Sequence, residues 1–226
     1  MDKYTGTDNL EVMKEAKNYN QYLIELIKQH TNKKSLILDF GAGIGTFAQN
    51  IKVENYNVMC IEPDINQLEV IKRLNIKAYQ NLDDVDDNSL DFIYSFNVLE
   101  HIEDDLLTVK KLKNKLKDGG RMLIYVPAFQ VLFSSMDKKV GHFRRYNFKM
   151  VENLAQKTNF NIEKLQYVDS LGFFITLLYK FIGNKDGDID KRSIMFYDKI
   201  IFPISQKLDM ILNKYIGKNI YVILKK

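Results

Sequence analysis

Residues able to do chemistry gather in three places along the chain. The first is Asp39-Phe40-Gly41-Ala42-Gly43-Ile44-Gly45, which follows an apolar run from Ser35 and precedes a helix-like stretch from Thr46. A strand that runs through glycines into a helix lets backbone approach a ligand closely. Glycine has no β-carbon to collide, and the helix N-terminus offers unpaired N–H donors. The same turn also occurs with no ligand, so the loop alone is a weak signal. Glu62 strengthens it. An acid ending the next strand, about twenty residues on, can accept hydrogen bonds from both hydroxyls of a ribose.

The glycine spacing narrows the choice of nucleotide. A dinucleotide fingerprint places its third glycine three residues after the second, and here that position is Thr46 while the third glycine is Gly45. A nicotinamide or flavin enzyme is therefore disfavoured. The missing lysine-plus-hydroxyl ending excludes a phosphate-cradling P-loop.

The second place is His101, which follows the apolar run Asp91 to Phe96. An imidazole titrates near neutral pH and suits general-base work. The competing reading is that His101 caps or packs against the helix start at Glu103 to Asp105. The third place is Asp137-Lys138-Lys139-Val140-Gly141-His142-Phe143-Arg144-Arg145-Tyr146. Only five arginines occur in the chain, and two stand here together. Paired guanidinium forks suit carboxylate or phosphate, so Arg144, Arg145 and Tyr146 are expected to contact substrate. His142 and Asp137 would add acid–base or orienting roles. Against this, the two arginines could pair with acids elsewhere and Tyr146 could simply begin a packed helix.

The elements that position these residues alternate. Strands are predicted over 35–40, 57–61, 78–79, 91–96 and 121–126, with helices over 9–30, 46–51, 65–74 and 104–116, the last stopping at Asp118-Gly119-Gly120. Strand–helix alternation argues for a parallel sheet with right-handed crossovers. A helix over 150–158 and strands over 160–168 and 219–224 complete seven strands. Between the last two lies an apolar helical insertion, residues 170–217, with Asp186-Gly187-Asp188 as its internal loop. Its expected role is a lid or a homodimer surface, with an interfacial helix pair on the inner face of a membrane as the alternative. A single domain spans 1–226, with residues 1–30 as an N-terminal cap.

Composition bounds the rest. Apolar residues make up 46% and charged residues 27%, an ordinary globular balance. The net charge of +4 is carried almost wholly by scattered lysines, which disfavours a nucleic-acid partner. Cys60 is the only cysteine, so neither an internal disulfide nor a cysteine-rich zinc site can form, and no metal is expected. With a polar N-terminus and no apolar run near ~20 residues, a cytoplasmic setting is expected.

Four segments together carry a family resemblance. Leu38 to Gly45 resembles the first motif of class I S-adenosylmethionine-dependent methyltransferases, and Cys60-Ile61-Glu62-Pro63-Asp64 the second. Asp91 to Ile102 is similar to the family's fourth-strand segment, and Leu116 to Ile124 to the loop and strand that follow. The resemblance implies a Rossmann-like α/β fold with strand order 3-2-1-4-5-7-6 and strand 7 antiparallel. It implies S-adenosylmethionine as cofactor and S-adenosylhomocysteine as product. Asp39 would lie near the methionine part, Gly41 and Gly43 would give backbone room, and Glu62 would hold the ribose. Asn81 and Leu82 would flank the adenine, Phe96 and Asn97 would border the methyl-donor pocket, and Tyr19 and Asn20 would close over it. His101 then becomes the expected base toward a hydroxyl acceptor. The segment from Gly141 to Tyr146 resembles one in methyltransferases that accompany surface-polysaccharide glycosyltransferases, which implies a small or glycan-like acceptor bearing an anionic group. N- or C-methylation of another small metabolite, and a non-catalytic cofactor-binding module, are the alternatives.

Overall fold

The structure, a computed structural model, describes residues 13–182 and 191–226. Seven strands form one sheet: β1 (Leu36–Phe40), β2 (Asn57–Ile61), β3 (Lys77–Tyr79), β4 (Leu90–Phe96), β5 (Leu116–Pro127), β6 (Asn161–Val168) and β7 (Asn219–Lys225). Their order is β3-β2-β1-β4-β5-β7-β6, as expected. β1 through β5 pair in parallel, and β7 runs antiparallel to both β5 and β6. The central strands read as continuous apolar runs because helices cover both faces; β7, for example, is buried from Asn219 to Leu224.

One face packs against the helices Asp105–Lys115 and Phe148–Lys157 through Val109, Leu112, Val151 and Leu154. The other packs against Lys17–His30, Thr46–Val53 and Ile65–Arg73 through Leu23, Ile27, Ile51 and Ile71. Three helices begin on acceptors that their own sequence supplies: Asp64, Asp104 and Asn147 each accept from backbone N–H groups of the first turn. Lys17–His30 is different, since Ala16 precedes it and has no capping oxygen. Asp198, from the insertion, takes the backbone N–H of Asn18 at 2.9 Å and of Tyr19 at 2.8 Å. The cap helix and the insertion are thereby fastened to each other across the C-terminal edge of the sheet.

The insertion between β6 and β7 is helical in its described residues: Ser170–Ile182, Lys191–Phe196, a π-turn over Tyr197–Ile201, and Phe202–Leu212. The Asp186 to Asp188 loop lies outside the described residues, as do residues 1–12 of the N-terminal cap. Two expected boundaries shift. The helix expected over 9–30 is broken: Met13 is helical, Lys14 and Glu15 form a turn, and Lys17–His30 follows as a separate helix. β5 starts at Leu116, ahead of the expected helix stop at Asp118 to Gly120, because Leu116 already pairs with Leu90 of β4.

Candidate active site

The glycine loop leaves β1 at its carboxyl end. Gly41, Gly43 and Gly45 all have left-handed φ, at 78°, 57° and 78°. At Gly41 a β-carbon would also fall 2.8 Å from Val98 Cγ1, so the loop is pressed against the segment that follows β4. The backbone N–H of Gly43 donates to Glu62 Oε2 at 2.7 Å, and that of Asp64 to Oε1 at 2.9 Å. Burial pushes the Glu62 carboxyl up from its ordinary value, while these two donors pull against that shift. Asn81 and Leu82 follow β3 at the start of a 3-10 turn.

Phe96 ends β4 and lies edge-on to Phe47 and Tyr125, with ring centroids 5.0 Å and 6.0 Å away. Asn97 takes a left-handed φ of 53°, a conformation that asparagine tolerates better than most side chains. Its amide side chain bonds the Tyr19 phenol, whose burial raises it to about 12. Asn20 donates to the Met13 carbonyl at 2.9 Å.

A second group assembles from the 3-10 turn Leu99–His101 after β4 and the segment 134–145. Asp137 is 1% exposed and receives His142 Nδ1 at 2.7 Å and the Arg145 guanidinium at 2.8 and 3.1 Å. Burial alone would raise its carboxyl, but these bonds outweigh it and hold the group well below the usual carboxylate range. The rings of His101 and His142 meet edge to face at 4.5 Å between centroids. Burial, and then the neighbouring His142, pulls His101 down to about 4, so it is a neutral imidazole at neutral pH. Glu100 is fully buried, and neither carboxylate oxygen has a hydrogen-bond partner. Burial pushes it up to about 8. His142 Nε2 faces it at 3.9 Å, beyond hydrogen-bond range.

Both groups open into one cavity of about 1830 Å³. Tyr19, Asn20, Gly41, Gly43 and Glu62 line it on the loop side, with Asn81, Leu82, Phe96 and Asn97. Glu100, His101, Asp137, His142 and Arg145 line it as well. Ile175, Tyr179, Ile194 and Tyr197 of the insertion also line it.

Three expected site residues are placed elsewhere. Asp39 is 3% exposed and stands behind the loop, where it accepts from the Tyr94 hydroxyl at 2.8 Å. Arg144 is held by Asp105 at 2.8 Å and by the Glu103 carbonyl at 2.6 Å. Tyr146 is buried, with its hydroxyl donating to Asp105 at 2.7 Å. None of the three lines the cavity, and both charges of the expected anion clamp are neutralised by Asp105 and Asp137. Two residues were not singled out by sequence. Glu100 lay inside a recognised segment but had no assigned role. Lys218, just before β7, lines the cavity with its ammonium 5.7 Å from the centre of the Tyr197 ring, and burial lowers it from its ordinary value.

A family model described as a methyltransferase domain matches residues 14–165, which hold the glycine loop, Glu62 and the Glu100–His142 wall. The chain belongs to the S-adenosylmethionine-dependent methyltransferases. A protein of Methanocaldococcus jannaschii is 29% identical over 189 residues, 79% of each chain. Among solved structures, an S-adenosylmethionine-dependent methyltransferase of Thermotoga maritima superposes with a TM-score of 0.64 at 12% identity, covering 97% of this chain and 95% of that one. Phosphoethanolamine N-methyltransferase 2 of Haemonchus contortus, in complex with S-adenosylmethionine, matches with a TM-score of 0.56 at 21% identity, over 84% of this chain and 48% of that one. The methyltransferase uses S-adenosylmethionine, and its residues fit that group. Glu62 is buried, anchored by two N–H donors, and keeps lone pairs for two hydroxyls. Leu82 and Phe96 add apolar side chains to the cavity lining, and Asn81 adds an amide.

Proposed function

We propose that this enzyme O-methylates a small or glycan-like acceptor bearing an anionic group, in a cytoplasmic setting. The observation that carries this reading is the Glu100, His101, Asp137 and His142 group, which shares one cavity with the cofactor loop. Bound S-adenosylmethionine supplies an electrophilic methyl on sulfonium. The chain itself must place the acceptor in line, exclude water and help the hydroxyl lose its proton. Neutral His101 and the Asp137-oriented His142 suit the last task. Phe96, Asn97 and Tyr19 border the methyl-donor end, and the insertion residues Ile175 and Tyr179 act as its lid.

The anionic group meets Lys218 in this account. Arg144 and Arg145 are spent on Asp105 and Asp137, whereas Lys218 lines the cavity with its ammonium 5.7 Å from the centre of the Tyr197 ring. Incubation with methyl-labelled cofactor and a panel of sugar phosphates and uronic acids tests the reading. Label in an alkali-stable ether, dependent on Lys218, supports it; label recovered only on nitrogen refutes it.

One observation favours a second reading. Glu100 presents a buried carboxylate without a bonded partner, which suits a cationic amine, and a structural relative is a phosphoethanolamine N-methyltransferase. An amine acceptor with a phosphate would use Glu100 and Lys218 together. Label on nitrogen in the same experiment selects it.

A further inference from the structure

Glu100, His101 and His142 each bring one ligand atom into a group whose members all lie within 4.8 Å of one another. Three features distinguish this group from a chance meeting of polar side chains. The Glu100 carboxylate is fully buried, yet neither oxygen is hydrogen-bonded, a costly arrangement for a carboxylate unless something else fills its coordination. His142 is held through Nδ1 by Asp137 at 2.7 Å, which turns Nε2 toward Glu100. A carboxylate behind an imidazole that offers its other nitrogen is the usual outer support of a metal-bound histidine. His101 is supported in its turn by backbone carbonyls at Val140 and Gly141.

We propose that Glu100, His101 and His142 bind a divalent first-row transition ion at the acceptor end of the methyl-transfer cavity. Two imidazoles and one carboxylate match the ligand type and number of open zinc and non-haem iron sites, which keep positions for substrate. Ligand atoms about 2.0–2.2 Å from one ion stand up to about 4 Å apart, so the 3.9 Å between His142 Nε2 and Glu100 Oε1 already fits, and small rotations close the rest. The absence of cysteine from the group does not weaken it, because this ligand set needs none.

The ion's role rests on the O-methylation reading; its binding does not. With the acceptor's hydroxyl as an added ligand, the ion polarises the O–H bond and fixes the oxygen. The proton passes to water at the cavity mouth, because His101 and His142 as ligands of the ion no longer serve as the base. The oxygen's lone pair forms the new O–C bond as the methyl's bond to sulfur breaks, and that electron pair stays on sulfur.

The test uses the full chain, freed of metal by a chelator and titrated with Zn²⁺ by calorimetry and with Co²⁺ by visible absorption. One equivalent of each should bind, with cobalt bands of a four- or five-coordinate nitrogen–oxygen site. Glu100→Gln and His142→Gln should each weaken binding at least tenfold, which Zn²⁺ titration of either variant alone can read if the other does not fold. S-adenosylhomocysteine affinity, measured on the same samples, should not change. No stoichiometric binding, or binding that persists in the folded variants, overturns the metal site while leaving the methyltransferase reading intact. Metal binding with label found only on nitrogen leaves the site and removes its assigned role.

Discussion

Arg145 is the residue whose two candidate roles differ most in their consequences. As an acceptor clamp it would be dispensable for folding; as the partner of Asp137 it is part of the interior. The structure places its side chain at 9% exposure and that of Asp137 at 1%, joined by two hydrogen bonds of 2.8 and 3.1 Å. Removing one member of such a pair strands the other charge in a poorly solvated place, at a cost of about 3–5 kcal/mol. In a domain of this size each kcal/mol moves the melting temperature by about 2–4 °C, so Arg145→Met should lower it by about 6–20 °C. Asp137→Asn should do the same, and the double variant should lose less than the two singles combined, because no unpaired charge remains. Thermal melts followed by circular dichroism read all three. If Arg145→Met melts within about 2 °C of the parent, well under the fall expected of a broken buried pair, and only raises the KM for acceptor, the interior assignment is wrong.

Three further outcomes are expected. Glu62→Gln removes a charged acceptor from the ribose site and should weaken S-adenosylhomocysteine by about 10- to 100-fold in calorimetry, corresponding to ~1.5–3 kcal/mol; an unchanged affinity would move the ribose elsewhere. Lys218→Met should raise the acceptor KM by a similar factor with cofactor affinity untouched, and equal losses of both would contradict its assignment to the acceptor. Asp39 gives a pH signature. Burial raises its carboxyl from 3.8 to about 7, so the folded state holds this proton more tightly than the unfolded chain. Its contribution to stability therefore falls as pH climbs between those two values and is level above them. Asp39→Asn keeps an oxygen for the Tyr94 hydroxyl and removes the titration. Its melting temperature should gain on the parent progressively from pH 4 to pH 7, and parallel profiles would show that Asp39 titrates normally.

The strand–helix alternation and the glycine loop with its following acid were legible because they depend on short-range pattern, whereas the strand order was implied only by the family resemblance. Strand, glycine turn and helix lie consecutively from Leu36 to Val53, and Glu62 follows at the end of the next strand. The acceptor half depends on long-range contact. Nothing local indicates that Asp39 stands beside Tyr94 on β4, since that follows from the β1–β4 register. Asp137 and Arg145 were both recognised as chemically able, but their bond to each other forms only when the segment 134–146 closes on itself. Glu100 stands next to His101 in sequence, but only the fold buries its carboxylate and brings His142 Nε2 to 3.9 Å from it. Lys218 reaches the cavity after an insertion of nearly fifty residues (170–217), with no motif to mark it. Asp198 likewise caps a helix through the N–H of Asn18, 180 residues earlier.

The central claim is that the glycine loop and the Glu100–His101–His142 wall face each other across a single reaction cavity. A crystal structure of the complex with S-adenosylhomocysteine tests it most directly. Ribose hydroxyls should lie on Glu62, adenine beside Asn81 and Leu82, and the sulfur should be directed toward Glu100, His101 and His142, with open space between for an acceptor. A cofactor whose sulfur points away from that wall, or whose ribose lies off Glu62, would contradict it.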